Sequence, residues 1–526
     1  MSLVNTLASA PFGGRKPGTE GGRRSTALLA ERFAAIGLTP LAAHSGFLVP
    51  VPLTRVSTQA RLLIEKPVAA TRSTVIAGDQ MVAWLSGHRR ELRIDGPMLF
   101  VGFGIEAPEY GWHDYAGIDA RGKIVVMLLG EPDEAPPGHA FATSAGSFFN
   151  GPLLTRHGRW DQKLAVAARQ GAAAAIVLHD SAVAGYPFTA VRNTYGSERL
   201  NLSNPTIARQ EPPLSIWLSE AASRQLLEDA GMTPAQLLIA ARTHPGKTRS
   251  ALNTTVRIEA TARWHDFISH NVVGRIPATP TQATNATAPV VLTAHWDHLG
   301  RHSAPEAGSG GGVDAPAWFP GAADNASGVA QMLDVAAGLI NAPVSREVII
   351  AALTAEESGL LGARHLVAQL LASDQRPLAA LNIDIANIFG RARDVEVIGL
   401  GLSSLDDALY AAARAQQRTI SADYAPLLGR VFRSDQDEFL RQGIPAVWIR
   451  GGRQKRNWAL SGPQANIRRY LREGYHQRGD TPRDWWVVDA ALEDANLIAA
   501  ITRELAATRV APVLRQSGNQ ATRVAR

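Results

Sequence analysis

No cysteine occurs among the 526 residues. That absence excludes disulfides, thiolate-bound zinc, iron–sulfur clusters and thiol nucleophiles together, so a metal would have to sit on His, Asp and Glu. No apolar run approaches the roughly 18–20 residues that span a bilayer, and residues 1–10 lack the charged start and long apolar stretch of a secretory signal. The chain as given is therefore expected to be soluble, with no membrane span. An opening Met-Ser-Leu is compatible with a removed signal, and cysteine avoidance with export, so a periplasmic or secreted location is expected. Extended Lys/Arg blocks are missing too. The net charge of +6 is spread along the chain and gives no reason to expect a nucleic-acid partner. Neither a G-x-S-x-G elbow, nor a G-x-G-x-x-G fingerprint, nor a Walker-type loop is present, which disfavours a serine hydrolase and a nucleotide-binding protein.

What the chain has is 45% apolar residues, enough for sizeable cores, and a length expected of two or three units. Residues 24–36 carry helical apolar spacing and stop at Gly37, after a Gly-rich stretch at 12–22 that reads as a loop. From about residue 97 the texture shifts to short β-type runs at 98–101 and 123–129. A helix at 162–169, an apolar run at 173–178 and a helix at 219–229 follow. From residue 271 strands alternate with helices, with strands expected at 272–276, 289–294, 347–353, 380–385, 395–400 and 446–449 and a helix at 328–340. That alternation belongs to an α/β domain with a largely parallel sheet. Segments 303–312 and 450–464 read as loops, and 510–526 as a poorly ordered tail.

In open α/β sheets ligands bind beyond the carboxyl ends of the strands, so the residues expected there are the informative ones. One strand runs into His295-Trp296-Asp297 and another into Glu356-Glu357, while Asp384 closes a third. Asp324 precedes the helix at 328, and Ser434-Asp435-Gln436-Asp437, Tyr475-His476 and Asp480 come later. Singly, each has a bland reading: a structural histidine, a helix cap, a solvated glutamate. Together they would crowd negative charge at one sheet edge, which is costly unless cations neutralise it. Two divalent metals would do so, and a donor set of nitrogen and oxygen suits Zn²⁺, with Mn²⁺ or Co²⁺ as substitutes.

The segments TAHWDHLG, GAADNASG, TAEESGLLGARH, LNIDIAN, FRSDQDEF with GIPAV after it, and GYHQRGDTP lie in this order between residues 293 and 482. In these motifs the sequence resembles the di-zinc aminopeptidases of the bacterial leucyl aminopeptidase and glutamate carboxypeptidase type, in the branch with an inserted protease-associated domain. The resemblance extends to YGWHDYAGIDARGKIVVML and to GTEGGRRSTALLAERFAAIGLTPL, and so covers nearly the whole chain. It implies a three-layer α/β/α zinc-peptidase domain with a mainly-β insertion. The expected division is an N-terminal segment at 1–95 packing on the peptidase domain, a protease-associated domain at 96–255, the catalytic domain at 256–508 and a tail at 509–526.

Carried over by position, the resemblance implies that Asp324 bridges two zinc ions, with His295 and Asp384 on one and Glu357 and His476 on the other. Asp297 and Asp480 would orient His295 and His476, Glu356 would be the general base, and Tyr475 an oxyanion donor. A strained or cis peptide is expected between Glu356 and Glu357. His298 competes with His295, which the strand end favours. Gln436, where the family often has His, and Ala363, in place of Ser, lie outside the implied site. The expected activity is removal of N-terminal residues from a peptide with a free N-terminus. A carboxypeptidase or dipeptidase, an aminoacyl cyclotransferase and a non-catalytic binding protein are the alternatives. The basic loop of Arg450, Arg453, Lys455 and Arg456 is expected to be solvated, and would grip a substrate carboxylate if it lined the cleft. The insertion would either gate the site or aid folding and association.

Overall fold

The computed structural model describes residues 1–65, 72–76, 79–132, 149, 153–243, 251–279, 288–301, 316–342, 344–454, 456 and 462–515. Lys455, the loop expected at 303–312 and the tail beyond residue 515 lie outside the described residues.

Strand composition sets the layering. In Val290–His295, Val290, Leu292 and Ala294 enter one core and Val291 the opposite one. In its neighbour Val348–Leu353 the same alternation sends Val348, Ile350 and Ala352 one way and Ile349, Ala351 and Leu353 the other. Successive side chains of a strand point to opposite faces, so a run that is apolar at every position demands cover on both. Helices Gly328–Ile340 and Val488–Ala507 contribute to the first core, and Leu361–Ala372 and Gln436–Arg441 to the second. The result is a three-layer sandwich whose strands Ala379–Asn382, Val290–His295 and Val348–Leu353 lie side by side and parallel. Their carboxyl ends share one edge.

The smaller unit repeats the logic. Strands Ile124–Leu128, Ala174–Leu178 and Leu214–Leu218 are parallel neighbours, apolar but for Ser215 and packed on two faces. Two long antiparallel strands, Leu48–Glu65 and Ala251–Ile276, tie it to the larger unit, so that sixteen of the described strands form one sheet. The expected 255/256 boundary falls inside Ala251–Ile276, and the 95/96 boundary inside Glu91–Phe100. Met81–Leu85 pairs with Leu214–Leu218, so residues before 96 also build the smaller unit.

Two local expectations need correction. The helix expected at 24–36 begins at Glu20, not at residue 24, because the Thr19 hydroxyl accepts the Gly22 N–H and caps it there. Gly21 and Gly22 thus belong to the helix rather than to a loop. A Cβ on Gly21 would stand 1.9 Å from the Phe12 carbonyl oxygen, so a close approach explains the glycine. The tail is partly tied down: Leu514 bridges to Ser403, and Arg515 donates to Asp406.

The units also meet through buried charge. Arg156 of the smaller unit holds Asp437 of the larger one at 2.7 and 3.0 Å, and Arg209 holds Glu438 at 2.6 Å. Burial alone would raise the Asp437 carboxyl, but Arg156 and Arg441 hold it well below the usual carboxylate range. Breaking one side of such a pair strands a buried charge, so Arg156→Met is expected to cost about 3–5 kcal/mol in chemical denaturation at pH 7. A depressed carboxyl stabilises the fold above its unfolded pKa of about 4 and loses that contribution as pH falls towards its native value. The stability difference between parent and variant should therefore shrink below about pH 4; a constant difference down to pH 3 would refute the assignment.

Candidate active site

The parallel strands deliver their side chains to one place. His295 ends Val290–His295, Glu356 and Glu357 follow Val348–Leu353, and Asp384 follows Ala379–Asn382. Asp324 lies in the turn Ala322–Ser327 that leads into Gly328–Ile340, and His476 follows the helix Gly462–Glu473. Asp324 faces two ways. Its Oδ1 is 3.3 Å from His295 Nε2 and its Oδ2 is 3.5 Å from His476 Nε2. His295 Nε2 also lies 3.5 Å from Asp384 Oδ1, and His476 Nε2 lies 3.0 Å from Glu357 Oε2.

Ligand atoms of His295, Asp324 and Glu357 lie within 4.8 Å of one another, as do those of His295, Glu356 and Asp384. The second group holds Glu356 where the sequence reading has Asp324. His298 turns Nδ1 to Glu357 Oε1 at 2.7 Å and so braces that carboxylate rather than replacing His295.

Electrostatics favour a cation here. Asp324, Glu356, Glu357 and Asp384 are all buried, and Asp435 beside them is fully buried with neither oxygen hydrogen-bonded among the described residues. Burial pushes the Glu356 carboxyl well above the usual carboxylate range; His295 opposes this, and Glu357 and Asp384 reinforce it. Burial would lower the His476 imidazole, yet Glu357 and Asp324 carry it up to about 10. The cluster draws positive charge onto its histidines, and mixed oxygen and nitrogen donors converging on buried carboxylates fit divalent metal.

The supports differ from expectation. Asp480 does not reach His476: its two oxygens accept the Ala323 and Asp324 N–H groups at 2.9 and 3.0 Å and so position the Asp324 turn. The start of that turn exposes backbone donors which a carboxylate satisfies better than an imidazole facing the other way. Asp297 Oδ1 accepts the Glu356 N–H at 3.1 Å and stays 3.8 Å from His295 Nδ1, whose nearer neighbour is the Asp297 carbonyl at 3.2 Å. Burial raises both carboxyls, each to about 7. The cis peptide expected at Glu356–Glu357 lies instead at Asp324–Asn325.

Asn325 and Arg15 escape the sequence reading. The Asn325 side chain accepts from Gly328 and Ile385 N–H and donates to the Ile383 carbonyl, joining the Asp324 turn to the Asp384 loop. Arg15, fully buried, donates to the carbonyls of Trp296, Leu7, Pro320 and Gly321 and places a fixed cation behind Asp480, Asp324 and Asp297. An isolated Arg in a Gly-rich stretch carries no signal of this. The cap-like Asp-Asn-x-Ser before a helix was the one available hint for Asn325.

A cavity of about 240 Å³ opens over the cluster. Trp160, Tyr186 and Tyr195 of the smaller unit and Phe389, Phe432 and Trp448 of the larger one line it, together with Tyr475, whose ring stacks on His476 at 4.2 Å. Arg450 lines it too and lies over the Trp448 ring, contrary to the expectation of a solvated loop. Arg453 packs on Tyr424, and Arg456 pairs with Glu493 at 3.6 Å. A second hollow, of about 430 Å³ and lined by Gly37, Ile276, Ile340 and Val344 among others, carries no ionisable side chain among the described residues.

Residues 271–499 match the sequence model of Peptidase family M28. A probable leucine aminopeptidase 2 of Aspergillus fumigatus is 31% identical over 183 residues, which are 32% of this chain and 36% of that protein. The chain thus matches about a third of the length of that curated relative. An aminopeptidase from Aneurinibacillus sp. strain AM-1 shares the fold with a TM-score of 0.53 at 16% identity, over 95% of this chain and 91% of the other. A zinc aminopeptidase from Bacillus subtilis superposes with a TM-score of 0.48 at 16% identity, over 95% and 92%.

Asn325→Ala would leave two buried N–H groups and one carbonyl without partners, at about 1–3 kcal/mol each. A loss of about 3 kcal/mol or more in urea denaturation is expected, and a loss under about 1 kcal/mol would show that the turn does not depend on this side chain.

Proposed function

We propose that this chain, whose residues 271–499 carry a peptidase family M28 domain, is a metal-dependent exopeptidase that removes N-terminal residues from short peptides. The observation that carries the reading is Asp324, which turns one carboxylate oxygen to each of two histidines in a buried acidic cluster at the floor of an aromatic cleft. Asp324 would be shared by two zinc ions, His295 and Asp384 would hold one, and Glu357 and His476 the other. Mn²⁺ or Co²⁺ would serve as substitutes. When bound, the metal pair supplies Lewis-acid polarisation of the scissile carbonyl and acidifies a water molecule.

The chain's own groups do the rest. Glu356 lines the cleft and takes a proton from the attacking water, then returns it to the leaving amine, so its carboxylate is restored at the end of each turnover. The burial that raises its carboxyl brings it closer to the working range of a general base. Tyr475 lines the same cavity and offers its hydroxyl to the developing oxyanion. The smaller unit corresponds to a protease-associated domain and roofs the cleft with Trp160, Tyr186 and Tyr195, restricting access to short, unfolded substrates.

A second reading, a dipeptidase or carboxypeptidase, is favoured by Arg433 and Arg450. Both line the cavity, and among the described residues neither has a carboxylate within ion-pair distance. An unpaired guanidinium there suits the carboxylate of a substrate.

Mass spectrometry of a peptide mixture after incubation with zinc-loaded protein separates the two. Stepwise loss from free N-termini, absent for blocked peptides and reduced about 10²–10⁴-fold in Glu356→Gln with zinc retained, is the expected outcome. Loss from C-termini, or cleavage of N-blocked peptides, would transfer the assignment to the second reading. No cleavage by folded, zinc-loaded protein would overturn both.

A further inference from the structure

The far side of His476 is held from outside the larger unit. Its Nε2 faces Glu357 and Asp324, while its Nδ1 lies 2.9 Å from the hydroxyl of Thr194, in the helix Phe188–Tyr195 of the smaller unit. That hydroxyl is also 2.8 Å from the Ala190 carbonyl, one turn back along its own helix. A hydroxyl has one proton and a carbonyl can only accept, so the proton goes to Ala190 and the Thr194 oxygen is left to accept from His476 Nδ1–H. The proton held on Nδ1 in turn makes Nε2, which faces the acidic cluster, the nitrogen that gives up its proton when a metal binds. One residue earlier, Asn193 Nδ2 donates to the His476 carbonyl at 2.9 Å.

Two adjacent residues of one helix thus grip both the ring and the backbone of His476. The backbone needs a grip, because His476 sits at φ +53°, in the left-handed region that non-glycine residues rarely adopt. Among the described residues, no hydrogen bond from the larger unit reaches the His476 backbone or its Nδ1. Asp480 is committed to Ala323 and Asp324, and Tyr475 meets the imidazole by ring stacking.

We infer that Thr194, seconded by Asn193, is a positioning residue for His476, so that the inserted unit completes one half of the metal site. The inference rests on the peptidase reading above for its purpose and on this geometry for its content. It also gives the insertion a task beyond covering the cleft. The helix that lines the cavity through Val191 and Tyr195 sets the tautomer of a metal-binding histidine, so its docking and the completeness of the site are one event.

The test uses the full chain with Thr194→Val, which removes the oxygen and keeps the branched shape, and Thr194→Ser, which restores the oxygen. Zinc affinities come from competition with a chromophoric chelator. Two ions are expected in the parent. In Thr194→Val one ion should bind unchanged and the other about 10–100-fold more weakly, with Thr194→Ser close to the parent. Nitrogen-15 histidine NMR gives a readout independent of zinc. The His476 Nδ1–H, assigned by its loss in His476→Gln, should exchange slowly in the parent and in Thr194→Ser and rapidly in Thr194→Val. Equal zinc affinities and unchanged exchange in Thr194→Val would overturn the positioning role alone. A parent that binds no zinc, yet whose Nδ1–H protection is lost in Thr194→Val, would overturn the peptidase reading and leave the positioning of His476 standing.

Discussion

Five carboxyl groups, Asp324, Glu356, Glu357, Asp384 and Asp435, are buried together at one edge of a sheet. Much of the surrounding structure follows from that repulsion. Carboxylates so placed cannot all stay ionised without positive charge among them. His476 faces that charge, and Glu357 and Asp324 carry its imidazole far above its ordinary value. Arg15 adds a charge that does not come and go. It is tied through the carbonyls of Trp296, Pro320, Gly321 and Asp324 to the loops behind the cluster, so the N-terminal segment is part of the site's electrostatics as well as of its packing.

The same demand explains why the supports are made largely of backbone contacts. Asp480 and Asn325 act on N–H and carbonyl groups of the Asp324 turn and the Asp384 loop, fixing where the carboxylates stand without adding a competing side chain among them. Loops at strand ends are otherwise the mobile part of an α/β fold. Here cross-links between two of them make a rigid floor, which is what a site depending on sub-ångström placement requires.

The larger unit was legible because its central strands are mostly apolar and lead into groups that carry chemistry. Alternating helix and strand signals located Val290–His295, Val348–Leu353 and Ala379–Asn382 to within a few residues, and with them His295, Glu356, Glu357 and Asp384. Illegible were interactions whose partners are distant in the chain. Thr194 and His476 are separated by 282 positions, and Arg15 and Gly321 by 306. No local pattern encodes such pairs, since a threonine on an amphipathic helix or an arginine among glycines looks the same with or without a partner. The misassigned Asp480 shows the limit of local reading differently. It stands four residues after His476 and the family resemblance pairs the two, whereas its oxygens serve a turn more than 150 positions earlier.

The contacts between the two units form a hierarchy of strengths. Arg156 with Asp437 and Arg209 with Glu438 are buried ion pairs, each costly to break, and they fix the inserted unit against the helix Gln436–Arg441. The hydrogen bonds that Asn193 and Thr194 make with His476 contribute about 1 kcal/mol each and could not hold two units together by themselves. They do not have to. With the units already clamped by the stronger pairs, weak directional bonds are sufficient to select one ring orientation and one tautomer. Strong contacts therefore set where the roof sits, and weak ones convert that placement into the chemistry of a single imidazole.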